Sequence, residues 1–239
     1  MKNLSITTFG AVCAVLTVVC FVPGIALMVS SGVQVLIPET GKEGLDWIAD
    51  VDGAGGTFFV GAWLLVLGGL LGAVALVGFY AALHDAGPVL VLAPILGAVG
   101  LTLVTISHLI PIAMAYELVP GYTDADAATR SSLAVTTDTL ASVSDVLNYS
   151  GDVLAWGVAV PLFAVAILTT SVVSRWIGWL GIFVGVFAGL ATLLRPASSV
   201  IEGITFIGFV AFFVWMASMG VTLLRQRAEV EDLRPASAH

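Results

Sequence analysis

Six apolar stretches, each roughly 19 to 32 residues long, leave this chain few ways to fold in water. A helix of about 20 residues crosses the roughly 30 Å hydrocarbon layer of a bilayer, and in lipid only helices and closed barrels satisfy their own backbone. The stretches fall at 4–30, 57–83, 88–119, 153–173, 176–194 and 201–224. Each is continuously apolar where a half-buried strand would alternate, so each reads as helix. The sequence predicts an all-α fold: a polytopic membrane helical bundle of six transmembrane helices in one domain over 1–225, with an outer amphipathic helix and a polar tail at 226–239. A hydrophobic content of 59% against 10% charged residues excludes an ordinary soluble domain.

Between the spans the chain is acidic. Segment 31–56 carries Glu39, Glu43, Asp46, Asp50 and Asp52 against Lys42, and reads as a loop or cap outside the bilayer. Its DVDG at 50–53 resembles the start of a calcium loop, but no acidic residue stands where a twelve-residue EF-hand loop ends. The formal charge of −8 excludes a nucleic-acid partner, which needs clustered cations. Cys13 and Cys20 are seven apart on one helix, about 10 Å along its axis, too far for a disulfide.

Loop charges set the orientation. With six crossings both ends share a side, and a cytoplasmic placement gives the inside five cations (Lys2, Arg175, Arg225, Arg227, Arg234) and the outside three (Lys42, Arg130, Arg195). The expectation is a multi-pass cell-membrane protein with both termini cytoplasmic.

The most unusual stretch is 131–170, whose first half places Asp138, Asp145 and Asp152 at intervals of seven, close to one helix face. One straight helix over this stretch would be about 60 Å long, twice the hydrocarbon thickness, so it must project or break, and a bend is expected at 148–151. His108 and Glu117 approach from the outer half of the third span, which is interrupted by Pro94 and Pro111. Arg195 and Glu202 flank the turn between the last two spans. Ionisable groups in a span face a cavity or a partner. The candidate ligand or ion pocket is therefore His108, Asp145, Tyr149, Asp152, Arg195 and Glu202, opening outward. Against it stands a plainer reading: Asp138 and Asp145 as the wet face of a surface helix, Asp152 and His108 as packed polar groups, Arg195 with Glu202 as an ion pair. Helix packing is expected at Gly68 and Gly72 of the second span and along the ridge Gly181, Gly185 and Gly189 of the fifth.

Several chemistries lack their residues. A retinal Schiff base needs an intramembrane lysine, and Lys2 and Lys42 lie outside the spans. Zinc hydrolysis and haem ligation need more histidines than His84 and His108, which fall toward opposite sides. No catalytic site, metal or cofactor is predicted, and an enzyme is the least supported class.

The run SVVSRWIGWLGIFVGVFAGL at 171–190, the preceding PLFAVAIL and the acidic segment before it resemble an uncharacterised family of six-span prokaryotic membrane proteins, a domain of unknown function. The likeness covers the chain from about Ala62 onward. It implies an all-helical six-span fold and carries no catalytic residue. Two functions follow from the residues. One is a lipid- or small-ligand-binding or accessory membrane-complex protein, with membrane lipids, a membrane-protein partner or a second copy as its associates. The alternative is a proton- or cation-coupled small-molecule transporter with an outward-facing acidic pocket.

Overall fold

Long apolar runs have one inexpensive conformation in lipid, the helix, because it pairs every interior N–H and C=O within the segment. The computed structural model describes residues 5–33, 41–122, 125–170, 172–194 and 199–232. The helices are α1 (Ile6–Ser30), α2 (Gly41–Ala54), α3 (Gly56–Leu83), α4 (Leu92–Glu117), the short α5 (Val119–Tyr122), α6 (Ala127–Asp152), α7 (Val160–Thr170), α8 (Arg175–Phe183), α9 (Gly189–Leu194) and α10 (Ser199–Asp232). Two π-helical segments, Val153–Ala159 and Val184–Ala188, join α6 to α7 and α8 to α9. No strand occurs among the described residues. Among the described residues six stretches are long and apolar enough to cross a membrane: Ile6–Ser30, Gly56–Ala86, Pro88–Glu117, Ala127–Thr170, Arg175–Leu194 and Ile204–Glu229. The chain is an all-α membrane helical bundle.

Four details differ from the sequence expectation. The acidic segment at 31–56 holds a helix, α2, where a loop or cap was expected; Trp47, Ile48 and Val51 recur at helical spacing and are buried. The helix is unbroken at 148–151, where the chain was expected to bend, and α6 runs through to Asp152. A lone glycine costs a helix only about 1 kcal/mol, and the residue that does disturb the ladder is Pro161, further on. Its ring conflicts with the carbonyl four residues back, that of Gly157, and Gly157 lies in the π segment Val153–Ala159, whose wider turn accommodates the misfit. Pro94 does not interrupt the third span either: it lies in the first turn of α4, where its missing N–H is no loss. Finally, α10 continues into the polar tail as far as Asp232.

Residue contacts divide the chain into two compact units, the first comprising Met1–Val18, Leu71–Leu101 and Asp152–His239. In it Phe79, Phe163 and Trp215 form a buried aromatic cluster, Phe79 and Trp215 meeting edge to face with centroids 5.6 Å apart. Backbones approach closely at glycines. A Cβ on Gly78 would lie 2.5 Å from the Cα of Gly10, and one on Gly189 would lie 2.5 Å from the Cα of Gly157.

The second unit comprises Val19–Leu70 and Thr102–Gly151. Trp47 of α2 meets Phe58 edge to face at 5.9 Å, and Phe59 packs on Tyr116 at 4.8 Å. At the start of α6, Asp126 Oδ1 accepts the Thr129 backbone N–H at 2.7 Å as an N-cap, and the Arg130 guanidinium lies 5.4 Å over the Tyr122 ring.

Candidate functional site

Hydroxyls inside a span must be satisfied locally or by a neighbouring helix. On α4, Ser107 does both: its Oγ donates to Val104 O at 2.7 Å, and its own carbonyl accepts Ser144 Oγ from α6 at 2.9 Å. A second link joins the same helices, with Ser107 Oγ 3.3 Å from Asn148 Oδ1. One hydroxyl proton cannot serve two acceptors, and the shorter bond to Val104 takes it. Turning the Asn148 amide over would present its NH₂ to Ser107 Oγ and satisfy both groups.

His108 stands beside this network. Its Nδ1 lies 2.6 Å from Val104 O, so that nitrogen carries a proton and donates, and in the neutral imidazole Nε2 is then the acceptor. Nε2 has no hydrogen-bond partner among the described residues. The Phe21 ring from α1 meets the imidazole edge to face at 6.4 Å, an apolar neighbour. The result is a polar spot of Ser107, His108, Ser144 and Asn148 on facing helices of the second unit, with an unused acceptor at its edge.

The aspartates occupy a different register. The buried face of α6 carries Thr137, Ala141 and Ser144, with Asn148 half-buried on the same side. Asp138 and Asp145 are one residue further round and half-buried, at the border between the buried and exposed faces. Asp138 Oδ1 and Thr137 Oγ1 are buried atoms without a hydrogen-bond partner among the described residues. Tyr149 is half-buried, and Asp152 is buried at 7% exposure. Tyr149 and Asp145 fall in the second unit and Asp152 in the first. Arg195 lies outside the described residues; Glu202 is carried by α10, and its side chain also lies outside them. Helical spacing in the sequence singled out Asp145, Tyr149 and Asp152, and its position within a span singled out His108, but Ser107, Ser144 and Asn148 were not placed in the candidate pocket. A cross-helix bond between residues 41 apart leaves no local pattern.

Among the glycines expected to pack helices, a Cβ on Gly181 would stand 2.8 Å from Ala164 Cβ, and one on Gly185 would strike the Pro161 ring. Gly68 and Gly72 face side chains, the Phe21 ring and Leu101, and not another backbone. No group of three or more His, Cys, Asp or Glu is placed to hold a metal among the described residues.

The model of a domain of unknown function, DUF4386, matches residues 8–225. The chain belongs to the DUF4386 family. No curated protein and no solved structure matches it. For this DUF4386 protein the description of the family supplies no activity, so function rests on the arrangement of α4 and α6.

Proposed function

We propose that this integral membrane protein binds a lipid or another small amphipathic ligand at the polar spot between α4 and α6, alone or as an accessory part of a larger membrane assembly. The observation that carries the reading is His108, whose Nδ1 is committed to Val104 O while Nε2 remains an acceptor beside the Phe21 ring. A molecule that is mostly apolar and brings one hydroxyl, amine or amide donor suits that combination. Lipid extraction and mass spectrometry of the protein purified from membranes test it. His108→Gln keeps an acceptor and should retain the co-purified molecule, whereas His108→Leu should lose it. Equal ligand content in His108→Leu would remove the reading.

One observation favours the second reading, coupled transport. Asp152 is a carboxylate buried at the end of α6, and a group so costly to bury is commonly kept for moving protons or cations. Proteoliposome flux under an imposed pH or cation gradient should then fall with Asp152→Asn, and unchanged flux would end that role.

The orientation belongs with these readings: both ends lie on the cytoplasmic side of the cell membrane, by the excess of inner cations. Epitope tags placed before Ser5 and after Asp232 should be protected in intact cells, and a tag inserted at 123–124 should be accessible. The reverse pattern would invert the topology.

A further inference from the structure

From Gly151 to Ala164 burial keeps a period that an α-helix cannot. The buried residues fall in pairs, Gly151 with Asp152, Ala155 with Trp156, Ala159 with Val160 and Phe163 with Ala164, and the pairs between them are half-buried. An α-helix turns once in about 3.6 residues, so a repeat of four would drift by about 40° at each step. The π segment Val153–Ala159 absorbs that drift, and the Val160 N–H at its end bonds the carbonyl of Ala155, five residues back. Past Pro161 the spacing closes up again, from Phe163 and Ala164 to Ala166 and Ile167.

The residue most affected is Asp152. It shares the face on which Trp156 meets Phe209 and Phe212 of α10, with centroids 5.5 and 5.6 Å away, and Phe163 meets Trp215 at 6.2 Å. Asp152 stands eight residues before Val160. Eight residues of regular α-helix make two turns and about 80° more, which would carry the carboxylate off this face. Val153, seven residues before Val160, would take its place, because seven residues make nearly two turns. The π form therefore sets which of two neighbours, a carboxylate or a valine, is buried. Pro161 in turn sets the π form: it has no N–H to bond the Gly157 carbonyl, and its ring crowds that oxygen. The ring is seated against Gly185 of the other π segment, where any Cβ would strike it.

We propose that Pro161 is a positioning residue for Asp152: by holding Val153–Ala159 in the π form it turns this carboxylate, and not Val153, into the first unit. The consequence for function rests on the coupled-transport reading of Asp152 given above, since a buried carboxylate serves that role only while it faces the interior.

The test uses the full chain in phosphatidylcholine nanodiscs, treated with dicyclohexylcarbodiimide, an apolar reagent for membrane carboxyl groups, with modification located by mass spectrometry. Asp152 should react slowly in the parent and several-fold faster in Pro161→Ala. Exchanging the pair, Asp152→Val with Val153→Asp, should give the opposite order: fast modification at 153 in the parent background and slow modification in Pro161→Ala. A fold merely weakened by loss of the proline would not be repaired by that exchange. Should the exchanged chains fail to fold, Pro161→Ala combined with deletion of Val158 brings Asp152 to nearly two α-helical turns from Val160 and should restore slow modification. Equal rates in the parent and Pro161→Ala overturn the proposal, as does an exchange that acts alike in both backgrounds or a deletion that restores nothing. Proteoliposome flux separates it from the reading on which it rests. The expected pattern is flux lost in Asp152→Asn and in Pro161→Ala and regained by the exchange in Pro161→Ala. Flux indifferent to Asp152→Asn ends the transport reading and leaves the positioning to the modification rates, whereas flux that falls with Asp152→Asn but not with Pro161→Ala overturns the positioning alone.

Discussion

Gly189 and Gly157 meet backbone to backbone, and the contact is lopsided: a Cβ on Gly189 would stand 2.5 Å from the Cα of Gly157, whereas one on Gly157 would stand 3.3 Å from the Cα of Gly189. Backbone cannot move aside as a side chain can. Gly189→Ala should therefore destabilise the protein by about 1–3 kcal/mol, the usual range for overpacking. Gly157→Ala needs a shift of only a few tenths of an ångström, and it gains up to about 1 kcal/mol of helix propensity, so its net effect should lie near zero. Thermal unfolding of the two variants in one detergent distinguishes them, and equal losses would contradict the asymmetry.

The cross-helix bonds at Ser107 make a second prediction. Ser144→Ala and Asn148→Ala each remove one link from α6 to α4. Interhelical hydrogen bonds in membranes average about 0.6 kcal/mol and reach about 1.7. A double-mutant cycle between Ser107→Ala and Asn148→Ala should return a coupling in that range, while Ser144→Ala, whose bond is to the Ser107 carbonyl, should cost the same in either background. A vanishing coupling would mean that the Asn148 amide does not bond Ser107 Oγ.

Asp126 gives a pH dependence whose sign can be worked out. Its carboxylate accepts the Thr129 N–H at the start of α6, and that bond holds its pKa below the ordinary carboxylate value. A depressed folded-state pKa means stabilisation that is complete above the ordinary value and lost as pH falls through the depressed one. Amide exchange in the first turn of α6 should thus accelerate, relative to the helix centre, only on acidification. Asp126→Asn caps without titrating and should abolish that acid-dependent component, while Asp126→Ala should fray the turn at every pH.

How much of this was legible beforehand depended on the range of the interaction. The apolar blocks announce their helices because each helix satisfies its backbone within itself, and 57–83 is reproduced within a residue or two as α3. The α2 helix was obscured by its carboxylates; its apolar side is little more than Trp47, Ile48 and Val51, too short for a periodic signal. The aspartate spacing of seven is real, yet Asp138 and Asp145 lie at the border of the buried face, because Thr137, Ala141 and Ser144 fit closer packing than a carboxylate can. Pairings such as Gly10 with Gly78, or Ser107 with Asn148, join residues distant in sequence, and no single-helix pattern encodes them.

Trp215 supplies the last prediction. Its side chain is fully buried, and Nε1 has no hydrogen-bond partner among the described residues, so the indole's apolar packing is opposed by an unpaired donor. Leaving such a donor unmet costs about 1–3 kcal/mol. Trp215→Phe removes the donor together with part of the ring volume, and the gain and the cavity should offset to within about 1 kcal/mol. Trp215→Ala has nothing to offset its cavity and should cost about 3–5 kcal/mol. The same atom also restricts Gly181, where a Cβ would come 2.9 Å from Nε1 and 2.8 Å from Ala164 Cβ. Gly181→Ala should accordingly be less damaging in the Trp215→Phe background than in the parent, though not neutral, because Ala164 remains in its way. Unfolding midpoints for the four proteins close the cycle. Strict additivity would show that the indole N–H does not restrict Gly181, and a large loss from Trp215→Phe alone would show that the donor has a partner after all.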